Sequence, residues 1–416
     1  MRHRSRRVLW WWAAAGLVIV ALGLATAAFD RGAPDEVASA RSSAPLNVGI
    51  SANLRAYRGA PLAARARAVR STGLGWVRED FDWSLAEPVR GQHRWRRLDR
   101  TVSVAAGQGL RVLPVITYTP AWAGTDSSGP PNDPADFARF TAAVVGRYGP
   151  HGTFWRARPA LDRRLAPSLF EIWNEPYNAS FWRPRADAVA YARLFALAAR
   201  AGRKADPEAG FMLAGETVAD GTPWLDALYE VEPALPSLTA AVSAHPYAVG
   251  GAGPLEWTPE SPTSDQQVRR VEQMNAIMRR RGDGRDPIWI TEIGWHTAPL
   301  SNGVSERRQA LYLEQVFELA ATRWRGFVRA VFWYEWDGPE ADPSDEQQWF
   351  GLMRRQTKAK AKPAFRALLK VTRCGARNEP RRRRRPGSAS PAPGGAVSCG
   401  RPPRKGARSR GPSPRR

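Results

Sequence analysis

The chain has 416 residues, room for two or three average domains or for one α/β barrel with insertions, and a formal net charge of +23. That charge lies at the ends: residues 1–7 hold four arginines and residues 373–416 hold fourteen Arg and Lys against one acid, Glu379, which leaves about +6 between them. A nucleic-acid binder needs a basic face on its folded part and a metalloenzyme a ligand cluster, so neither class fits: 2 cysteines and 5 scattered histidines make no H-E-x-x-H and no C-x-x-C, and no metal, organic cofactor or nucleic-acid partner is expected.

Residues 8–29 carry no charge and run through Leu9-Trp10-Trp11-Trp12 and Gly16-Leu17-Val18-Ile19-Val20. At about 1.5 Å per residue the run reaches roughly 33 Å, enough to cross a bilayer. The arginines before it put the amino terminus inside and everything after it outside. The run exceeds a usual signal core, which favours a retained transmembrane signal anchor and hence a membrane partner; Ala25-Thr26-Ala27 leaves a cleaved signal peptide as the rival. Both export the working domain. Residues 30–45 read as a linker.

From 46 to 372 short apolar runs alternate with longer helical patterns, as in repeated β-α units. Strands are expected at 47–51, 75–78, 111–117, 168–173, 210–214, 240–244, 287–291 and 329–333, and helices at 61–71, 134–148, 186–204, 263–281 and 305–324. Asp133 before Pro134, and Ser305 before Glu306, are helix starts. Eight strands with interleaved helices predict an α/β fold, a (β/α)8 TIM barrel. An open doubly wound sheet is disfavoured because no G-x-G-x-x-G follows the first strand. Residues 373–416 are rich in Arg, Pro, Gly and Ser and are expected to be disordered. Cys374 and Cys399 both fall there, so a bridge between them would hardly stabilise the barrel. The tail reads either as a loose hold on an anionic cell-surface polymer or as having no role.

Two carboxylates stand in matching settings. Glu175 closes Leu169-Phe170-Glu171-Ile172-Trp173-Asn174 and precedes Pro176, while Glu292 closes Pro287-Ile288-Trp289-Ile290-Thr291 and precedes Ile293-Gly294. A carboxyl at a strand's carboxyl end points into the loop layer where barrels keep their active sites. Two of them suffice to cleave a glycosidic bond, and retention needs them about 5 to 5.5 Å apart in opposite protonation states. A cation beside Glu292 would keep it ionised. Aromatics and a neighbouring carboxylate would raise the pKa of Glu175, with Trp173 and Trp182 as its apolar side. Glu171, Glu335 and Asp337 are rival carboxylates, but none follows an asparagine.

Trp173-Asn174-Glu175-Pro176 and Ile290-Thr291-Glu292-Ile293-Gly294-Trp295 resemble the catalytic strand ends of clan A glycoside hydrolases, families 5 and 39 above all, over roughly residues 47–370. The resemblance implies that Glu175 is the acid/base on the fourth strand and Glu292 the nucleophile on the seventh, which is where the strand count puts them. It also implies that Arg78 would hold Glu292, and that Asn174 would bond the sugar 2-hydroxyl. In Ser243-Ala244-His245-Pro246-Tyr247, Tyr247 would bond the nucleophile and His245 line the site, while Trp333 would form the platform under the sugar. Arg78 pairing with Glu79, Asp80 or Asp82, and a purely structural His245, are the bland alternatives.

Of eighteen tryptophans, Trp122, Trp182, Trp295, Trp333 and Trp336 lie at or after strand ends, where rings can stack on sugars; Trp76 and Trp289 read as core. Phe154-Trp155 has no role in this scheme. The expected activity is a retaining glycosidase on a β-linked oligo- or polysaccharide. Transglycosylation at the same site and a non-catalytic glycan-binding surface protein are the alternatives.

Overall fold

A computed structural model of the chain describes residues 45–248, 251–254, 266–355 and 360–377. The chain divides into two units, Met1–Ser42 and Ser43–Arg416, and the description concerns the second. The expected anchor at 8–29, most of the linker and the tail beyond 377 lie outside the described residues. Among the described residues no helix is long and apolar enough to cross a membrane.

Eight strands close into a barrel: β1 (Asn47–Ser51), β2 (Trp76–Asp82), β3 (Arg111–Thr117), β4 (Leu169–Ile172), β5 (Gly210–Ala214), β6 (Ala241–Ala244), β7 (Ile288–Ile293) and β8 (Val328–Trp333). Each pairs in parallel with its neighbours in sequence, and β8 with β1. The expected (β/α)8 barrel is therefore the fold. Strand β2 runs on to Asp82 because Glu79 to Asp82 keep pairing with Pro114 to Thr117 of β3; a run of acids that reads as a strand end is still strand.

The helices longer than one turn are α1 (Gly59–Ser71), α2 (Arg96–Gly107), α3 (Pro134–Tyr148), α4 (Ala188–Ala205), α5 (Trp224–Val231), α6 (Gln266–Arg280), α7 (Glu306–Ala321) and α8 (Pro363–Arg377). Asp133 accepts from the Ala135 N–H with Pro134 in the first turn, and Ser305 accepts from Arg308. Helix α2 escapes the sequence reading because arginines open it, yet Leu98, Thr101, Val102, Ala105 and Ala106 recur at helical spacing and are buried. Helix α8 runs past 372, where the sequence places the end of the barrel, to Arg377; Thr372 is buried and its hydroxyl donates to the Thr72 carbonyl at 2.6 Å.

One apolar core lies between strands and helices, and Phe154 and Trp155 belong to it, packing at 5.4 Å from Tyr148 and bonding its carbonyl. A second fills the lumen with Leu113, Met212, Ala241, Trp289, Ala330 and Phe332, joined by Trp76. Trp76 stands edge-on to Trp289 at 5.4 Å. Gly49 makes this packing fit, since a Cβ there would lie 2.3 Å from the Phe332 ring.

Candidate active site

Above the lumen core, at the carboxyl ends of the strands, a cavity of about 630 Å³ opens, and both Glu175 and Glu292 line it. Asn53, Tyr118 and Glu175 in its wall have left-handed backbone, a conformation that costs non-glycine residues about 1–3 kcal/mol each and that gathers at functional sites. Trp173 is left-handed too. This twist after β4 sends Trp173 into the core and Glu175 into the cavity.

Arg78, buried at the middle of β2, organises one side. Its Nε donates to Glu171 Oε2 at 2.8 Å, its Nη2 to Asn174 Oδ1 at 2.8 Å, and its Nη1 to Glu292 Oε1. Burial works against its charge, but Glu171 and Glu292 more than offset that and hold its pKa well above the usual value. The other Glu292 oxygen accepts from the Tyr247 hydroxyl at 2.8 Å. Both Glu292 oxygens are thus aimed by donors. The neighbouring acids take other partners: Asp80 pairs with Arg55, Glu79 accepts the Leu54 and Arg55 N–H groups, and Asp82 caps a short helix.

A chain of hydrogen bonds fixes the other side. Burial would raise the Glu171 pKa, but Arg78 and then His245 bring it down to about 2, so Glu171 is an acceptor only. Thr291 Oγ1 donates to Glu171 Oε1 at 3.0 Å and must therefore accept from His245 Nε2, 2.9 Å away. With Nε2 protonated, one further proton lies on the 2.7 Å line between His245 Nδ1 and Glu175 Oε1. Burial opposes the imidazolium, but Glu292, Glu171 and Glu175 raise the His245 pKa to about 10. Burial likewise favours neutral Glu175, yet the hydrogen bond and charge of His245, together with Asn178 and Arg78, outweigh it and its pKa is lowered.

This corrects the expected environment of Glu175. Its neighbour is an imidazolium, with Asn178 Nδ2 at 3.0 Å on the second oxygen. Trp173 and Trp182 are fully buried and do not line the cavity; they meet edge-on at 5.1 Å, and Trp173 Nε1 bonds the Phe181 carbonyl. Glu175, His245 and Glu292 also have metal-ligand spacing. The nitrogen facing both carboxylates carries a tightly held proton, however, which a metal would have to displace.

The structure thus gathers Arg78, Asn174, Glu175, His245, Tyr247 and Glu292. Trp295 lines the cavity with little exposed face, its N–H bonded to the Ala252 carbonyl. Trp333 does not reach the cavity. It has no exposed surface and packs 6.0 Å from Trp295, so the platform expected of it is absent there. Trp122, Trp182 and Trp336 stay out of the lining as well. Tyr334, the next residue, does line it, braced edge-on by Phe350 at 5.4 Å. Thr291, Tyr334 and Asn178 are participants that the sequence reading missed, and Glu171, weighed there only as a rival carboxylate, is a fourth.

No protein-family model and no curated protein matches the chain. Solved structures match in fold. A family 39 glycoside hydrolase from Bacteroides cellulosilyticus superposes with a TM-score of 0.58 at 20% identity over 79% of this chain and 64% of its own length. A monomeric β-xylosidase from Caulobacter crescentus gives 0.58 at 20% identity, over 80% of this chain and 69% of that one. A GH5_18 variant from Bifidobacterium longum, in complex with Manb1-4GlcNAc, gives 0.55 at 14% over 80% and 79%. What the chain shares with these glycoside hydrolases is the parallel eight-stranded barrel.

Proposed function

We propose that the chain is a retaining glycoside hydrolase that cleaves a β-linked oligo- or polysaccharide by double displacement. The observation that carries this reading is the spacing of the carboxylates: one oxygen of Glu175 and one of Glu292 lie within 4.8 Å. Retention uses about 5 to 5.5 Å, and inversion about 6.5 to 9.5 Å to admit a water. The fold shared with glycoside hydrolases of families 39 and 5, one of them holding a disaccharide, supports it.

In the first step a Glu292 oxygen attacks the anomeric carbon, the bond to the leaving oxygen breaks, and that oxygen takes a proton from Glu175. Glu175 receives that proton from the His245 imidazolium along their 2.7 Å hydrogen bond as it passes its own to the leaving oxygen, and Glu175 is the partner that lines the cavity. In the second step water gives a proton to Glu175, its oxygen bonds the anomeric carbon, and Glu292 leaves. Arg78 occupies the Asn174 carbonyl and so turns the Asn174 amide N–H₂ to the sugar hydroxyl beside the anomeric carbon.

A panel of β-linked oligosaccharides and aryl glycosides, with product anomers followed by NMR, tests the reading. First-formed products keep the substrate configuration, and a 2-fluoro glycoside labels Glu292; inversion, or a label elsewhere, rejects it. The barrel works outside the cytoplasmic membrane, held by residues 8–29 as an uncleaved anchor. Protein retained on membranes after a carbonate wash, with its amino terminus near Met1, supports this; release into the medium with an amino terminus near Ala28 rejects it.

A further inference from the structure

Six carboxyls line the cavity, and five have donors. Glu79 accepts two backbone N–H groups, Asp80 pairs with Arg55, Glu175 with His245, Glu292 with Arg78 and Tyr247, and Glu346 with Asn302 at 3.0 Å. Glu335 is the sixth. Its carboxyl has no hydrogen-bond or ion-pair partner among the described residues. The nearest cations are engaged elsewhere: Arg65 grips both oxygens of Asp337, and Arg355 Nε donates to Asp337 at 3.0 Å.

The backbone that carries Glu335 is held on three sides. The Tyr334 N–H donates to Ile293, the Trp336 N–H to Ser51, and the Leu352 N–H to the Glu335 carbonyl, at 2.8, 3.0 and 3.0 Å. A rigidly mounted, half-buried carboxyl that faces a cavity without a protein donor is what a site leaves open for donors on its ligand. Position identifies which part of the ligand. Glu335 follows β8, beside the β7 strand of the nucleophile and diametrically across the barrel from β4, which carries the acid/base. It therefore faces the sugar that becomes attached to Glu292, not the leaving group.

Building on the function proposed above, we propose that Glu335 is a specificity-determining residue of the glycone subsite, bonding hydroxyls of that sugar and selecting a neutral glycone over a uronic acid. The groups around it are Tyr334 and Asp337 on its own segment, Arg355, Arg65 on α1 and Glu292 on β7. Burial first, then Asp337, raise its pKa to about 8, against the pull of Arg355 and Arg65. A uronate carboxylate would meet this acid-lined wall, where Arg55, Arg65, Arg78 and Arg355, among the described residues, are already paired with protein carboxylates.

The test uses the full chain and the neutral aryl β-glycoside that the wild type cleaves fastest. Glu335→Ala should lower kcat/KM roughly 5- to 100-fold, the cost of leaving the sugar hydroxyls without their buried partner, while Glu335→Gln keeps most of it. Among monodeoxy glycosides, one should lose rate with the wild type and lose no more with Glu335→Ala, an outcome that a merely structural role does not produce. The alkaline limb of kcat/KM near pH 8 should disappear in Glu335→Gln, and the matching aryl uronide should be cleaved far more slowly than the neutral glycoside. An alanine variant within twofold of wild type, or a preference for the uronide, overturns the inference. If that variant is unaffected while fluoro-glycoside trapping on Glu292 succeeds, the inference alone fails; if the wild type cleaves and traps nothing, the hydrolase reading falls and takes the inference with it.

Discussion

The lower and upper layers of the barrel lumen differ by one step of the strand pleat. Along β2 the inward side chain changes from Trp76 to Arg78, along β4 from Leu169 to Glu171, and along β7 from Trp289 to Thr291. The lower layer is apolar volume, and any one of its residues can be lost at the cost of a cavity. The upper layer is charge removed from water, and each member depends on its partner. Function sits on the upper layer because charges that cannot relax into solvent hold their positions and their protons.

The largest expected effect separates the two. Glu292→Gln should lower kcat/KM on the order of 10⁴-fold or more, by removing the attacking oxygen with an almost isosteric change, and should leave the fold in place. Trp289→Ala, only three residues earlier, should cost about 3–5 kcal/mol of stability while the folded enzyme keeps its chemistry. Parallel kinetics and urea unfolding check both. Loss of activity without loss of stability in Trp289→Ala would show that the layers are not separate.

Arg78 belongs to both accounts. Arg78→Met should abolish activity and also cost about 3–5 kcal/mol, because Glu171 and Glu292 are left without their cation. Adding Glu171→Gln should return part of the stability and none of the activity. Strict additivity of the two unfolding energies would contradict the coupling that these contacts require.

A smaller effect should appear with pH. Glu171 is depressed from an ordinary 4.5 to about 2, so the stability it contributes is present above the ordinary value and is lost as pH falls toward 2. His245 is raised from 6.5 to about 10, so its contribution is complete below 6.5 and is lost as pH rises through about 10. Urea midpoints should therefore be highest between about pH 5 and 6.5 as far as this layer is concerned. In Glu171→Gln the acid side should flatten, and an unchanged acid limb would contradict the assignment.

The strands were legible because their apolar runs are short and bounded, and the pair Glu175 and Glu292 because each ends such a run. The misses come from side-chain direction. Trp333 and Tyr334 differ by one residue and face opposite ways, as neighbours on a strand must. Ala330 and Phe332 fill the lumen, so continuing their alternation points Tyr334, not Trp333, inward. The same pleat turns Glu171 into the lumen, where it sets the protonation of its neighbours without an asparagine before it. The lowered pKa of Glu175 was not legible at all, since it depends on His245, seventy residues away in sequence and 2.7 Å away in space.

The smallest effect concerns the basic tail, and the position of the cut decides the outcome. Deleting 378–416 should leave kcat/KM on small soluble substrates and the unfolding midpoint unchanged, because the last described helix, α8, ends at Arg377. Cutting at 372 instead shortens α8, whose Ala364, Ala367, Leu368 and Thr372 are buried, and removes the support of the Thr372 bond to Thr72; the midpoint should fall. With residues 378–416 present, retention on an anionic polymer should weaken as salt rises, since attraction between charges is screened over about 10 Å at 0.1 M salt. If the shorter deletion also lowered the midpoint, part of residues 378–416 would belong to the folded domain, and the contrast between the two cuts would fail.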